Sequence, residues 1–129
     1  MSADEPVRVD VPVAGLYAMR LAKGGILVAV RIWHGLPIVD GEELDRSPRW
    51  CVEIDGKTDR LEKDEATGYR CRVPLDIGRA WPFCSGRPIA ESEYQFLKAR
   101  AAWAKDHAPA HPAAKPREAV NVRALPPLF

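Results

Sequence analysis

Between Leu16 and Trp33 apolar and polar positions alternate with a period of two, and this stretch organises the reading of the chain. Ile26, Val28, Val30 and Ile32 fall on one face of a strand, and Leu27, Ala29, Arg31 and Trp33 on the other. The first face reads as core. The second mixes aliphatic side chains with a guanidinium and an indole, so partial cover is expected, by another segment or by a partner. Upstream, Tyr17, Met19 and Leu21 alternate with Ala18 and Arg20. Gly24-Gly25 supplies a turn, because glycine tolerates the positive φ of two-residue hairpin loops. Such a loop pairs Lys23 with Ile26, Leu21 with Val28, Met19 with Val30 and Tyr17 with Ile32, core against core. A three-residue loop would set Arg20 opposite Val28 and spoil the face.

Gly35-Leu36-Pro37 ends the strand, and Asp40 to Arg49 reads as a polar loop rich in carboxylates. Trp50, Val52 and Ile54 alternate with Cys51, Glu53 and Asp55 as a further strand, followed by an Asp55-Gly56 hairpin turn. Lys57 to Leu61 is polar enough for an edge strand only; Tyr69, Cys71 and Val73 alternate with Arg70 and Arg72 as one more strand, and Val7, Val9 and Val11 suggest a short edge strand near the start. Pro74, Pro82 and Pro88 punctuate an expected extended stretch that holds Trp81 and Cys84.

A helix is predicted from Ala90 to His107, with Glu91 and Glu93 in its first turn and Lys105 in its last, as the macrodipole favours. Its inward stripe is Tyr94, Leu97, Ala101 and Ala104, with Phe96 and Trp103 on an adjoining side. Pro109 stops it. The predicted class is α+β: a small antiparallel β-meander or SH3-like half-barrel, then one C-terminal helix and an extended Pro-rich tail. Residues 1–108 form the expected domain. Residues 109–129 form the Ala/Pro-rich tail, with Val120, Val122, Leu125, Leu128 and Phe129 able to dock on it.

A chain of 129 residues can bury about two-thirds of its unfolded surface without disulfides or metal. Its 47% hydrophobic and 29% charged content is that of an ordinary globular protein, and no apolar run approaches the ~20 residues of a membrane span. Met1 to Glu5 is polar and acidic with no basic n-region, so no signal peptide and a cytoplasmic location are expected. Three widely spaced cysteines, Cys51, Cys71 and Cys84, suit reduced thiols. Charge is uneven: residues 1–65 carry 9 Lys/Arg against 13 Asp/Glu, whereas residues 66–105 carry 7 against 3. That dipole, near neutral overall at +1, argues against a wholly basic nucleic-acid binder.

Chemical motifs are weak. Cys51, Cys71, Cys84 and His34 lack the Cys-x-x-Cys spacing of zinc sites. Asp40, Glu42, Glu43 and Asp45 lack the alternate-ligand spacing of a calcium loop. Gly24-Gly25 is followed by no Lys-Ser/Thr, so it is a turn before it is a phosphate loop. Ser85 has no nucleophile elbow, His34 reads as a surface imidazole at a strand end, and His107 and His111 flank the helix stop. No cofactor or metal is expected. The constellation that stands out is Arg20, Arg31, Trp33, Arg46, Arg49 and Trp50 around the second sheet face. Either Arg31 and Trp33 pack beneath the helix or tail, or the set is a binding surface, since tryptophan and arginine are enriched among interface hot spots.

The succession Arg31-Ile32-Trp33, Gly41 to Trp50 (Gly-Glu-Glu-Leu-Asp-Arg-Ser-Pro-Arg-Trp), Trp81-Pro82, Cys84, Gly86-Arg87-Pro88-Ile89 and Glu93-Tyr94 resembles small uncharacterised proteins encoded in phages and prophages of alphaproteobacteria. The resemblance spans residues 15 to 105. It implies a genomic setting and supplies no activity or site residues. Taken together, the expectation is a non-enzymatic binding protein acting on a protein partner of the host cell, for instance as an inhibitor of a defence complex. The alternative is a nucleic-acid-binding accessory of phage DNA metabolism using the same Arg/Trp face.

Overall fold

Strand β2 (Leu27–Gly35) lies at the centre of the structure because both of its faces are apolar enough to need cover. A computed structural model of the chain describes residues 11–119. In it β1 (Gly15–Arg20), β2 and β5 (Arg49–Ile54) form an antiparallel sheet in the order β1-β2-β5. Two ribbons stand beside it: β3 (Ile38–Val39) with β4 (Glu42–Glu43), and β6 (Asp59–Lys63) with β7 (Arg70–Pro74). Helix α1 (Trp81–Cys84) is a single turn preceded by a 3-10 turn, Ile77–Arg79; α2 (Glu91–His107) is the long helix.

Period-two faces account for the layers. Tyr17, Met19, Val28, Val30, Ile32 and Val52 pack on one side of the sheet against Ala80, Trp81 and Cys84. Leu21, Trp50, Ile54, Leu75 and Ile77 close its edges. The rings of Tyr17 and Trp81 meet edge to face with centroids 5.4 Å apart. On the opposite side Ala18 and Ala29 are small enough to let α2 approach, and Tyr94 and Leu97 fill the space above them. The helix stripe Tyr94, Leu97, Ala101 and Ala104 is buried as its spacing predicts. Phe96 and Trp103 remain exposed at 60% and 53%.

The hairpin keeps the predicted faces with a different loop. Tyr17 pairs with Val30 and Met19 with Val28, so the register is two residues from the expected one, and the connection runs from Leu21 to Ile26. A slip of two preserves every facing, whereas a slip of one would have reversed them. The reason lies in the two glycines. Gly24 takes φ +75° inside a turn closed by Gly25 N–H donating to the Ala22 carbonyl. A Cβ on Gly25 would stand 3.0 Å from the Ala22 oxygen and 3.2 Å from the Pro116 oxygen, so this glycine admits the returning tail. Arg20 Nε donates to the Gly25 carbonyl and braces the loop.

Asp55-Gly56 is the expected hairpin turn, with both residues at positive φ and Ile54 and Lys57 exchanging backbone hydrogen bonds. Asp40-Gly41 does the same between β3 and β4, so part of the expected polar loop is a second tight hairpin. Three further expectations are corrected. Residues 74–88 are not extended: Asp76 caps the 3-10 turn by accepting from Gly78 N–H, and Pro82 sits in the first turn of α1, where a missing N–H costs nothing. The strands divide into a three-stranded sheet and two ribbons, so no closed barrel forms among the described residues. The tail after Pro109 is not wholly extended, because Pro112–Ala114 makes a 3-10 turn that buries Ala113 against α2. Val7 and Val9, and the docking residues Val120 to Phe129, lie outside the described residues.

The sequence dipole does not produce two charged sides. Asp59 and Asp40 pair with Arg72, Glu53 with Lys98 and Asp55 with Lys105, each acid from the first half meeting a base from the second. Folding therefore interleaves the charges.

Replacing Ile32, which is 2% exposed at the centre of the sheet, with alanine is expected to destabilise the fold by about 2–5 kcal/mol. Leu61→Ala in the exposed ribbon should change stability by less than about 0.5 kcal/mol. Urea denaturation of both variants checks the contrast.

Candidate functional site

The six arginines and tryptophans singled out above separate in space. Arg31 and Trp33 are half-buried neighbours on the helix-covered side of β2, with the Arg31 guanidinium 4.5 Å from the indole centroid. Glu53, opposite Arg31 in the register, is taken by others: the Tyr94 hydroxyl donates to it and Lys98 lies 3.5 Å away. Arg31 Nε is buried without a hydrogen-bond partner, so stacking on the indole is its main contact on this side. Gly35 lets the indole lie flat, since a Cβ there would come within 3.2 Å of the ring. Trp33, Arg49, Trp50 and Cys51 line a cleft of about 470 Å³ with Pro37, Ile38, Pro74 and Ile77. Trp50 is held edge to face by His34 at 5.2 Å. Arg46 is exposed and borders neither this cleft nor the next, and Arg20 belongs to a different cleft.

That second cleft is larger, about 720 Å³. Its apolar lining is Met19, Leu21, Ile54, Leu75 and Phe83, the edge of the main core left open where β1 and β5 end. Six cations surround it: Arg20, Lys23, Lys57, Arg60, Arg79 and Arg117. Two carboxylates also border it, and both are engaged. Asp59 accepts from Arg72 at 2.8 Å and from the Asp40 backbone N–H; Asp76 is occupied as the cap of the 3-10 turn. Arg60 pairs with Glu62 at 3.3 Å, whereas Lys23, Lys57, Arg79 and Arg117 make no ion pair with a described residue. Leu75 and Asp76 line both clefts, which makes them adjoining halves of one surface. Sequence reasoning missed Lys23, Lys57, Arg60, Arg79 and Arg117 because they come from separate stretches of the chain, and of these only Arg79 lies in the basic stretch 66–105.

Titratable groups elsewhere serve the fold. Burial pushes the Cys84 thiol up to about 11 and raises that of Cys51. Tyr94 is raised first by burial and then by its hydrogen bond to Glu53. None of these shifts moves a nucleophile toward its ionised form near neutrality. The three cysteines sit on three elements, Cys51 on β5, Cys71 on β7 and Cys84 in α1. Among the described residues no group of three or more His, Cys, Asp or Glu side chains is placed to hold a metal. Asp40 of the acidic loop is paired with Arg72, and His111 Nδ1 accepts from Ala113 N–H as a cap. No described helix is long and apolar enough to cross a membrane. Comparison with protein-family models, curated proteins and solved structures finds no match for the chain.

Native protein is expected to show one fast-reacting thiol with Ellman's reagent, the exposed Cys71, while Cys51 and Cys84 react only on unfolding. Stability should depend on pH through the buried thiol. Unfolded, Cys84 ionises near its ordinary 9.0; folded, it keeps its proton to about 11. Its contribution is therefore complete below pH 9 and lost between pH 9 and 11, on the order of 1 kcal/mol per pH unit. Urea melts across that range should show the fall, and Cys84→Ala should lessen its slope.

Proposed function

We propose that the chain is a small non-enzymatic binding protein, phage-derived and cytoplasmic, that acts by protein–protein contact on a host complex, with inhibition of a defence complex as its concrete form. The observation that carries this reading is the pair of adjoining clefts, apolar within and rimmed by arginine, lysine and tryptophan. Desolvated apolar pockets flanked by Trp and Arg are where binding energy concentrates in protein interfaces. Trp33 and Trp50 supply aromatic walls, Arg31 steadies the first by stacking, and Arg20 and Arg49 stand on the two rims. Arg46 has a peripheral part. The phage setting rests on the sequence resemblance.

Nucleic-acid binding is the second reading, favoured by the four cations that have no ion-pair partner among the described residues. A tagged full-length chain used as bait in host extract, with and without nuclease, separates the two. Protein contact predicts a protein partner retained after nuclease, with affinity for the purified partner weakened by about 2 kcal/mol or more in Trp33→Ala or Arg49→Ala while the thermal melt of Arg49→Ala is unchanged. Nucleic-acid binding predicts loss of capture on nuclease treatment and a log–log salt slope of about 0.7 to 0.9 per phosphate neutralised.

A further inference from the structure

The larger cleft differs from the smaller in charge. Arg20 ends β1 and Lys23 follows in the β1–β2 connection, Lys57 precedes β6 and Arg60 lies in it, Arg79 is in the 3-10 turn and Arg117 in the tail. Sites for a single phosphate draw on backbone amides at a helix or loop end, and here the Gly78 amide is already satisfied by Asp76. Cations contributed by four separate segments suit an anion that is extended along the cleft.

We infer that this cleft receives an acidic segment of the partner protein, whose apolar side chains enter between Leu21, Ile54, Leu75 and Phe83 while its carboxylates meet Lys23, Lys57, Arg79 and Arg117. The inference rests on the protein-contact reading and specifies the chemistry of the partner. Charge complementarity supports it: six cations border the cleft, and its two carboxylates are turned to partners within the fold. The lining separates a peptide from a nucleic acid. It is aliphatic apart from Phe83, which suits leucine or phenylalanine side chains, whereas single-stranded nucleic acids are held on stacked aromatic platforms.

The test is a random peptide library displayed on phage and selected on the full-length chain, followed by fluorescence anisotropy of the selected peptides. Enrichment of Asp and Glu around Leu, Ile or Phe is expected. Affinity should fall about tenfold or more in the Lys57→Glu/Arg79→Glu double variant, and likewise when the apolar residues of the peptide are changed to serine. Both substituted side chains are exposed, so the thermal melt should be retained; Phe83→Ala, also at an exposed position, gives a second variant with the same expected loss. Selection of neutral or basic peptides, unchanged affinity in the variants, or equal competition by an oligothymidylate overturns the inference. A nuclease-resistant host partner bound equally by wild type and the double variant also overturns it, yet leaves protein contact standing. Capture that vanishes with nuclease refutes the protein-contact reading itself.

Discussion

Burial of β2 on both faces is the constraint from which the other elements follow. A strand with Val28, Val30 and Ile32 on one side and Leu27 and Ala29 on the other cannot be covered by one layer. The chain meets the demand twice, with the 3-10 turn and α1 on the first side and α2 on the second. The cover on the first side is short, a 3-10 turn and a single helical turn, and leaves corners of the sheet open. The clefts lie at those uncovered corners: one beside Trp33 and Trp50, the other beside Met19 and Ile54. Candidate binding surfaces thus arise from the same shortage of covering material that leaves the core edge partly open.

Polar contacts fix how the covers sit. Glu53 points to the helix side of the sheet, and burying a carboxylate there requires partners. Tyr94 and Lys98, one helical turn apart, provide them, and Lys105 meets Asp55 further along the same strand's end. Arg100 adds a hydrogen bond to the Leu27 carbonyl. These contacts set the rotation and position of α2 more sharply than its alanine-rich stripe could alone.

Legibility in the sequence followed the range of the physics involved. The faces of β1, β2 and β5, the Asp55-Gly56 turn and the stripe of α2 are set by period and local dihedral preference, and each is present as read. The Asp40-Gly41 turn carried the same signal inside a stretch whose charge suggested open loop. Hairpin register was lost because Gly25 answers to a tail segment some ninety residues away, which no local reading contains. Arg31 and Trp33 were legible as alternate positions on one face of a strand, whereas Trp50, opposite His34 in the register, belongs to the other face. The larger cleft was not, since its lining converges from five stretches between Met19 and Arg117.

The β6–β7 ribbon brings a different kind of consequence. From Leu61 to Arg72 it has no buried side chain, and a two-stranded ribbon has little independent stability in water. Its hold on the rest of the molecule is at the base, where Arg72 pairs with Asp40 and Asp59 accepts from the Asp40 backbone N–H. Local opening of such a unit requires far less free energy than global unfolding. Asp59 and Arg60 at that base also wall the larger cleft. Any occupant that touches that wall binds the closed ribbon in preference to the open one, so occupancy and ribbon closure are linked, and amide exchange in β6 and β7 reports on the cleft from outside it.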